Sequence, residues 1–238
     1  MVFHYSFKTL KFYTTPGNRC PYLSGQTEQR IMTCLTGENA NYLHNHLANM
    51  GFRRSHNIAY IHRCISCKAC VPIRLLVNDF SLNKTQKRIL KLNQDIQMYL
   101  VPLQATMEQY ILFHDYLKQR HEQSKMRQMN FVDYQHMIEH SPVLTYLIEY
   151  RLSNRLVAVS LMDELNNGFS AVYTFYDALL TKRSLGTFTI LYQIELTKDC
   201  KYPYLYLGYW IKNSPQMAYK IRYQPAEYFI NSYWQTTL

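Results

Sequence analysis

Two periodicities alternate along the chain. Apolar residues spaced three and four apart predict helices over Ala40–Met50, Thr85–Gln94, Thr106–Glu122, Phe131–His140 and Leu185–Lys198, the last with Gly186 in its first turn. Strand patterns fall at Asn57–His62, Val71–Phe80, Leu144–Arg151, Arg155–Leu165, Phe169–Asp177 and Tyr202–Trp210. Between two of these stands Asn166-Asn167-Gly168, a hairpin turn read from the tolerance of Asn and Gly for positive φ. Asn213-Ser214-Pro215 has a polar cap followed by Pro, the order that starts a helix. Helices interspersed with antiparallel hairpins and single strands indicate a mixed α+β fold. No repeat and no clear linker breaks the chain. Ser141-Pro142 is the best division, giving two lobes, 1–141 and 142–238, packed together.

Composition adds a partner class. The chain has 238 residues, 47% of them hydrophobic, enough for a sizeable core. Its 26 Lys and Arg against 16 Asp and Glu give a charge of +10, as expected of a protein that meets a polyanion. Tyrosine is over-represented at 22 residues, a side chain that suits wet clefts as well as cores. The first residues, MVFHYSFKTLKFYTT, lack a leader's long apolar stretch, and no run reaches the length of a membrane span. A cytoplasmic protein is expected, and there six cysteines point to thiols, redox chemistry or metal before disulfides.

Cys64-Ile-Ser-Cys67-Lys-Ala-Cys70 is the sharpest spacing in the chain. Thiolates so close can converge on zinc or an iron–sulfur cluster, with Cys20 or His62 as a fourth ligand. The neighbouring Arg63 and Lys68 favour thiolate over thiol. A tight loop with packed thiols is the alternative. Cys34 and Cys200 are isolated and read as small buried hydrophobes. The remaining histidines show no ligand spacing and read as surface or structural.

Lys84, Lys87, Arg88 and Lys91 share one face of their helix. Stacked like charges want an anion opposite, and phosphate is the obvious one. With Arg53, Arg54, Arg63 and Arg74 upstream, this region reads as the RNA contact.

The stretch YTFYDALLTKRSLGTF, residues 173–188, is a strand-to-helix junction. Tyr173, Tyr176 and Asp177 end the strand; Arg183, Ser184 and Gly186 open the helix. Free N–H groups and the positive dipole end make a helix start a seat for phosphate or a developing oxyanion. The junction resembles the strand–loop–helix of acetyltransferase-type (GNAT) folds, although those loops hold more glycine than this one. Further on, Tyr202, Tyr204 and Tyr206 alternate onto one face, and Gly208 admits a close approach to the backbone. Tyr209, Trp210, Lys220 and Arg222 follow, where sites on such folds open.

In order along the chain stand CPYL at Cys20, GFRRS at Gly51, CISCKACVPIR from Cys64, the basic helix, SAVYTFYD from Ser170, SLGTF from Ser184, YLYLGYWI from Tyr204, MAYK from Met217 and PAEY. This set, running nearly end to end, resembles the aminoacyl-tRNA–protein transferases of the N-degron pathway in their short bacterial form. The resemblance implies a GNAT-like fold with a mixed, mostly antiparallel sheet flanked by helices, and a basic Cys-containing N-terminal lobe. It implies transfer of leucine from leucyl-tRNA to the α-amine of proteins beginning with Asp or Glu. Eukaryotic members carry a second cysteine soon after the first, where this chain reads Cys20-Pro21-Tyr22-Leu23.

The reaction asks little beyond alignment. The ester is already activated, so direct attack by the amine needs no cofactor and no covalent enzyme intermediate. On this reading the N–H groups of 184–187 hold the oxyanion or the tRNA end. Tyr173, Tyr176 or Asp177 positions the amine, and Arg74, Arg183, Lys220 or Arg222 reads the acceptor carboxylate. Tyr209 and Trp210 line the substrate site. Three rivals remain at this stage: the same reaction with arginine as cargo, a coenzyme A-dependent N-acetyltransferase, and a non-catalytic RNA-binding module with a cysteine-bound metal.

Overall fold

A computed structural model describes residues 10–121 and 124–237. The first nine residues, on which the expectation of no leader partly rests, lie outside them, as does Glu122. Three short strands come first: β1 (Tyr13–Thr14), β2 (Asn18–Arg19) and β3 (Thr27–Glu28). They are followed by β4 (Arg30–Cys34), α1 (Ala40–Asn49), β5 (Arg53–Ser55), β6 (Ile58–His62), β7 (Val71–Leu76) and α2 (Lys84–Leu92). Next come β8 (Ile96–Val101), α3 (Met107–Arg120), α4 (Phe131–Glu139), β9 (Thr145–Leu152), β10 (Arg155–Leu165) and β11 (Gly168–Tyr176). The chain closes with α5 (Leu185–Asp199), β12 (Tyr204–Trp210), β13 (Ala226–Ile230) and β14 (Tyr233–Gln235).

The main sheet has eight strands in the order β14-β13-β7-β12-β11-β10-β9-β8. Its pairs are antiparallel except β11 with β12. It is thus the mixed, mostly antiparallel sheet flanked by helices that the sequence led us to expect. A smaller sheet, β1-β4-β6-β5, carries α1. Residue 141 does not divide the large sheet, because β7 and β8 lie within it.

The helices start where their caps dictate. Asn83, Thr106 and Asn130 each accept a bond from the backbone N–H three residues on, and the residue at that position bonds back. α5 packs on one face of the sheet, its Leu191 and Ile194 in one cluster with Leu75 and Val157, and α3 with α4 brings Phe113 and Tyr134 into another core with Phe175. Each cluster buries one apolar strand face, which is what fixes the strand register.

Several expectations need correction. Val71–Phe80 is a strand only to Leu76; Val77–Asp79 turns as a 3-10 helix. Ser214 opens only a turn and the 3-10 helix Ala218–Arg222 before β13 begins at Ala226. The hairpin at Asn166-Asn167 forms, but neither Asn nor Gly168 takes positive φ. Gly168 is required for another reason: a Cβ there would overlap the carbonyl oxygen of Tyr204 on the parallel neighbour. Cys34 and Cys200 are exposed, not buried.

Candidate active site

β11 and β12 pair over three positions, Gly168 with Tyr204, Phe169 with Leu205 and Ser170 with Tyr206, and then part. Each strand carries an irregularity just beyond. The register of β11 on β10 shifts between Tyr173 and Ala171, and that of β12 on β7 between Tyr206 and Gly208. A bulge bends and twists its strand, so two at one level spread the pair into a cleft. Arg53, from the smaller sheet, reaches into the gap. Its guanidinium donates to Ala171 O at 2.7 Å, Val172 O at 3.3 Å and Ser170 Oγ at 3.2 Å. The close approach expected at Gly208 is this group: with φ +80°, a Cβ there would lie 2.8 Å from Arg53 Cζ and Nε.

Lys220 lies beyond the end of β12, 7% exposed, its Nζ donating to Tyr209 O at 2.7 Å. Burial first, then repulsion from Arg53, brings its ammonium down to about 7. Tyr209 is buried and stacks edgewise on His62 at 4.7 Å. Burial, with Arg30 nearby, holds His62 down at about 4, so its imidazole is neutral at pH 7. Trp210 lies in the core against Tyr228, with its indole N–H buried and unbonded.

The strand-to-helix junction is built around one contact. Gly186 lies under the ring of Tyr176, where a Cβ would stand 2.9 Å from Cε1. On its other side Tyr176 meets Tyr116 at 4.9 Å. Tyr173 packs on Phe113 and Phe175, and burial pushes its phenol up. Asp177 turns the chain by accepting from Leu179 N at 3.0 Å and pairs with Arg155 at 2.9 Å. Ser184 sits in the left-handed region, φ 51°, and accepts from Thr187 and Phe188 N. Arg183 points away along the surface to Asp95, at 2.7 and 2.9 Å, while its carbonyl accepts from Asn93 Nδ2. The junction therefore gathers Tyr176, Gly186 and Ser184 but engages Asp177 and Arg183 in ion pairs.

Other expected residues are placed apart. Arg74 is buried between Tyr204, 3.6 Å from its centroid, and Trp234 at 4.3 Å, and it pairs with Glu227 at 2.7 Å. Arg54 donates to both oxygens of the fully buried Asp163 and to His56 O, so its donors serve the interior. Lys84, Lys87, Arg88 and Lys91 are all exposed on α2. Beside that helix a cavity of about 330 Å³ is lined by Gln86, Thr187, Tyr223 and the exposed Arg222.

Cys20, Cys64, Cys67 and Cys70 are half-buried neighbours. Burial first, then the thiols of Cys64, Cys20 and Cys67, pushes Cys70 up to about 12, opposite to the thiolate that Arg63 and Lys68 led us to expect. Among the described residues no three His, Cys, Asp or Glu side chains are arranged to hold a metal ion. No helix among the described residues is long and apolar enough to cross a membrane.

Sequence reasoning missed the place of Arg53 against Ser170, Ala171 and Val172 and that of Tyr116 against Tyr176. Gly208 was the one available signal for the first. The second had none, because Tyr116 is 60 positions from Tyr176.

The chain matches two family models, arginine-tRNA-protein transferase, N terminus, over residues 18–88, and arginine-tRNA-protein transferase, C terminus, over residues 108–230. A relative named aspartate/glutamate leucyltransferase from Granulibacter bethesdensis is 50% identical, over 94% of this chain and 84% of its own length. Another of that name from Gluconacetobacter diazotrophicus is 49% identical, over 94% and 86%, and one from Paramagnetospirillum magneticum 44%, over 94% and 92%. Among solved structures, L-PGS from Bacillus licheniformis is similar with a TM-score of 0.47 and 11% identity, over 60% of this chain and 46% of that one. With matches of this extent to both family models and to full-length relatives, the chain belongs to the aspartate/glutamate leucyltransferase branch of the arginine-tRNA-protein transferase family.

Proposed function

We infer that this protein transfers leucine from leucyl-tRNA to the N-terminal amine of proteins beginning with Asp or Glu, marking them for N-degron proteolysis in the cytoplasm. The near end-to-end identity with proteins named aspartate/glutamate leucyltransferase carries this reading. The geometry supports it with an exposed basic helix for phosphates and with the Arg53 guanidinium set between the parting strands β11 and β12. The arginine alternative is favoured by the name of the family models, and leucine by the names of the full-length relatives.

In the reaction the amine nitrogen bonds to the ester carbonyl carbon, and the carbon–oxygen bond to ribose breaks. The amine loses a proton and the ribose oxygen gains one. Lys220 is suited to take that proton near neutral pH, because its ammonium has been brought down to about 7. Arg53 donates to no carboxylate among the described residues, so the cleft keeps the positive character that an acidic first residue complements. The cavity beside Arg222, on the Gln86 and Ile89 side of α2, takes the 3′ end of the tRNA.

The test is transfer of label to a peptide beginning with Asp, from leucyl-tRNA in one tube and arginyl-tRNA in another. Label from leucine alone is expected. Label from arginine alone would overturn the cargo, and label from neither the reaction.

A further inference from the structure

Where β12 turns away from β11, the carbonyls of Ala171 and Val172 lose their strand partner. Unpaired backbone acceptors inside a protein cost free energy, and two parted strands tend to close again. Here neither happens, because a guanidinium from a different sheet donates to both carbonyls and to Ser170 Oγ. Its fork is rigid and planar, so it can serve adjacent oxygens at once. The opposite wall makes room: Gly208 has no side chain, and any Cβ would press on Arg53 Cζ and Nε.

We propose that Arg53 is a positioning residue that keys open the cleft between β11 and β12, standing in for the missing strand partner, and is not a phosphate contact. This role rests on the aminoacyl-transfer reading of the cleft. It makes Gly208 the second half of the same device. A shut or shifted cleft displaces the groups on its walls, and a misplacement of about 1 Å at reacting atoms can cost about 10²-fold in rate.

The experiment measures transfer kinetics, leucyl-tRNA affinity and its salt dependence for Arg53→Ala, Arg53→Lys and Gly208→Ala, each checked for native circular dichroism. Arg53→Ala and Gly208→Ala are expected to lower kcat about 10²-fold with the tRNA Kd and salt slope unchanged. Arg53→Lys, which keeps the charge and donors for the carbonyls but lacks the second arm that reaches Ser170 Oγ, should recover part of the loss. Parental kcat in Arg53→Ala would overturn the proposal. So would a weakened tRNA Kd with a shallower salt slope at parental kcat, the signature of a phosphate contact. If Arg53→Ala fails to fold, Gly208→Ala decides, since it removes no charge and parental kcat there overturns the role. Absence of transfer by the parental protein itself would overturn the reaction reading, and this role with it.

Discussion

At the scale of single residues, close approach explains more than conformational freedom does. Gly186 is glycine because Tyr176 lies across the first turn of α5, and Gly168 because Tyr204 presses on it. Gly186→Ala should therefore cost about 1–3 kcal/mol, read by urea unfolding, and the Tyr176→Ala background should relieve most of that. An unrelieved loss would mean that the helix start, not the ring, sets the requirement. Lys220 gives a prediction in pH. Burial and Arg53 depress its ammonium to about 7, below the ordinary lysine value, so the folded protein favours the neutral amine. Transfer should rise with pH through about 7, and Lys220→Met should abolish that limb while leaving tRNA affinity intact. An unchanged profile would remove Lys220 from the proton path. The sign for stability is the same: from about 7 up to the unfolded lysine's pKa, the unfolded chain binds the extra proton, so stability increases with pH.

At the scale of elements, α2 was the most legible part of the site. Its cations at steps of three and one could be read from spacing, and the structure exposes the four together. Changing Lys84, Lys87, Arg88 and Lys91 to Gln should weaken leucyl-tRNA binding and flatten its salt dependence by about 0.7–0.9 per lost phosphate contact, with kcat at saturation little changed. An unaltered slope would free the helix from that role. The junction was less legible. Its outline as strand, loop and helix was correct, but spacing cannot show that Arg183 turns to Asp95 or that Asp177 faces Arg155. Both partners lie more than twenty positions away. Short or irregular elements were missed for a related reason. β13 and β14 are five and three residues long, and they owe their strand form to pairing with β7 and with each other rather than to local pattern.

At the scale of the whole molecule, the two sheets are joined by a buried charge. Asp163 on β10 accepts from Arg54 on β5 at 2.6 Å through each oxygen, from Thr145 at 2.8 Å, and lies 3.1 Å from His44 on α1. Burial alone would push this carboxyl up, but the bonds from His44 and Arg54 outweigh it and hold it at about 2. Asp163→Asn should cost about 3–5 kcal/mol, because it leaves Arg54 buried without its anion. The contribution is present in full above the unfolded carboxylate's pKa and is lost as pH falls through about 2. Urea unfolding as a function of pH reads both effects, and parental stability at neutral pH would show that the clasp is idle. Sequence marked Arg54 as a phosphate contact. Nothing in the spacing of an Arg-Arg pair tells which member turns inward, since that depends on an aspartate 109 positions later.

The three-position contact at Gly168–Ser170 also makes β11 a lever. From its fulcrum at Gly168 to Tyr176 the strand runs eight steps, roughly 25 Å at the usual rise, with its far end seated on Gly186. Because β10 is paired with β11 from Gly168 to Tyr176, a displacement where the pivot meets Tyr204 is carried along both strands as one. Gly168→Ala, though remote from the cleft's mouth, should therefore act on turnover as a change beside Tyr176 would. The tolerance of the reaction to mutation is set as much at the pivot as at the tip.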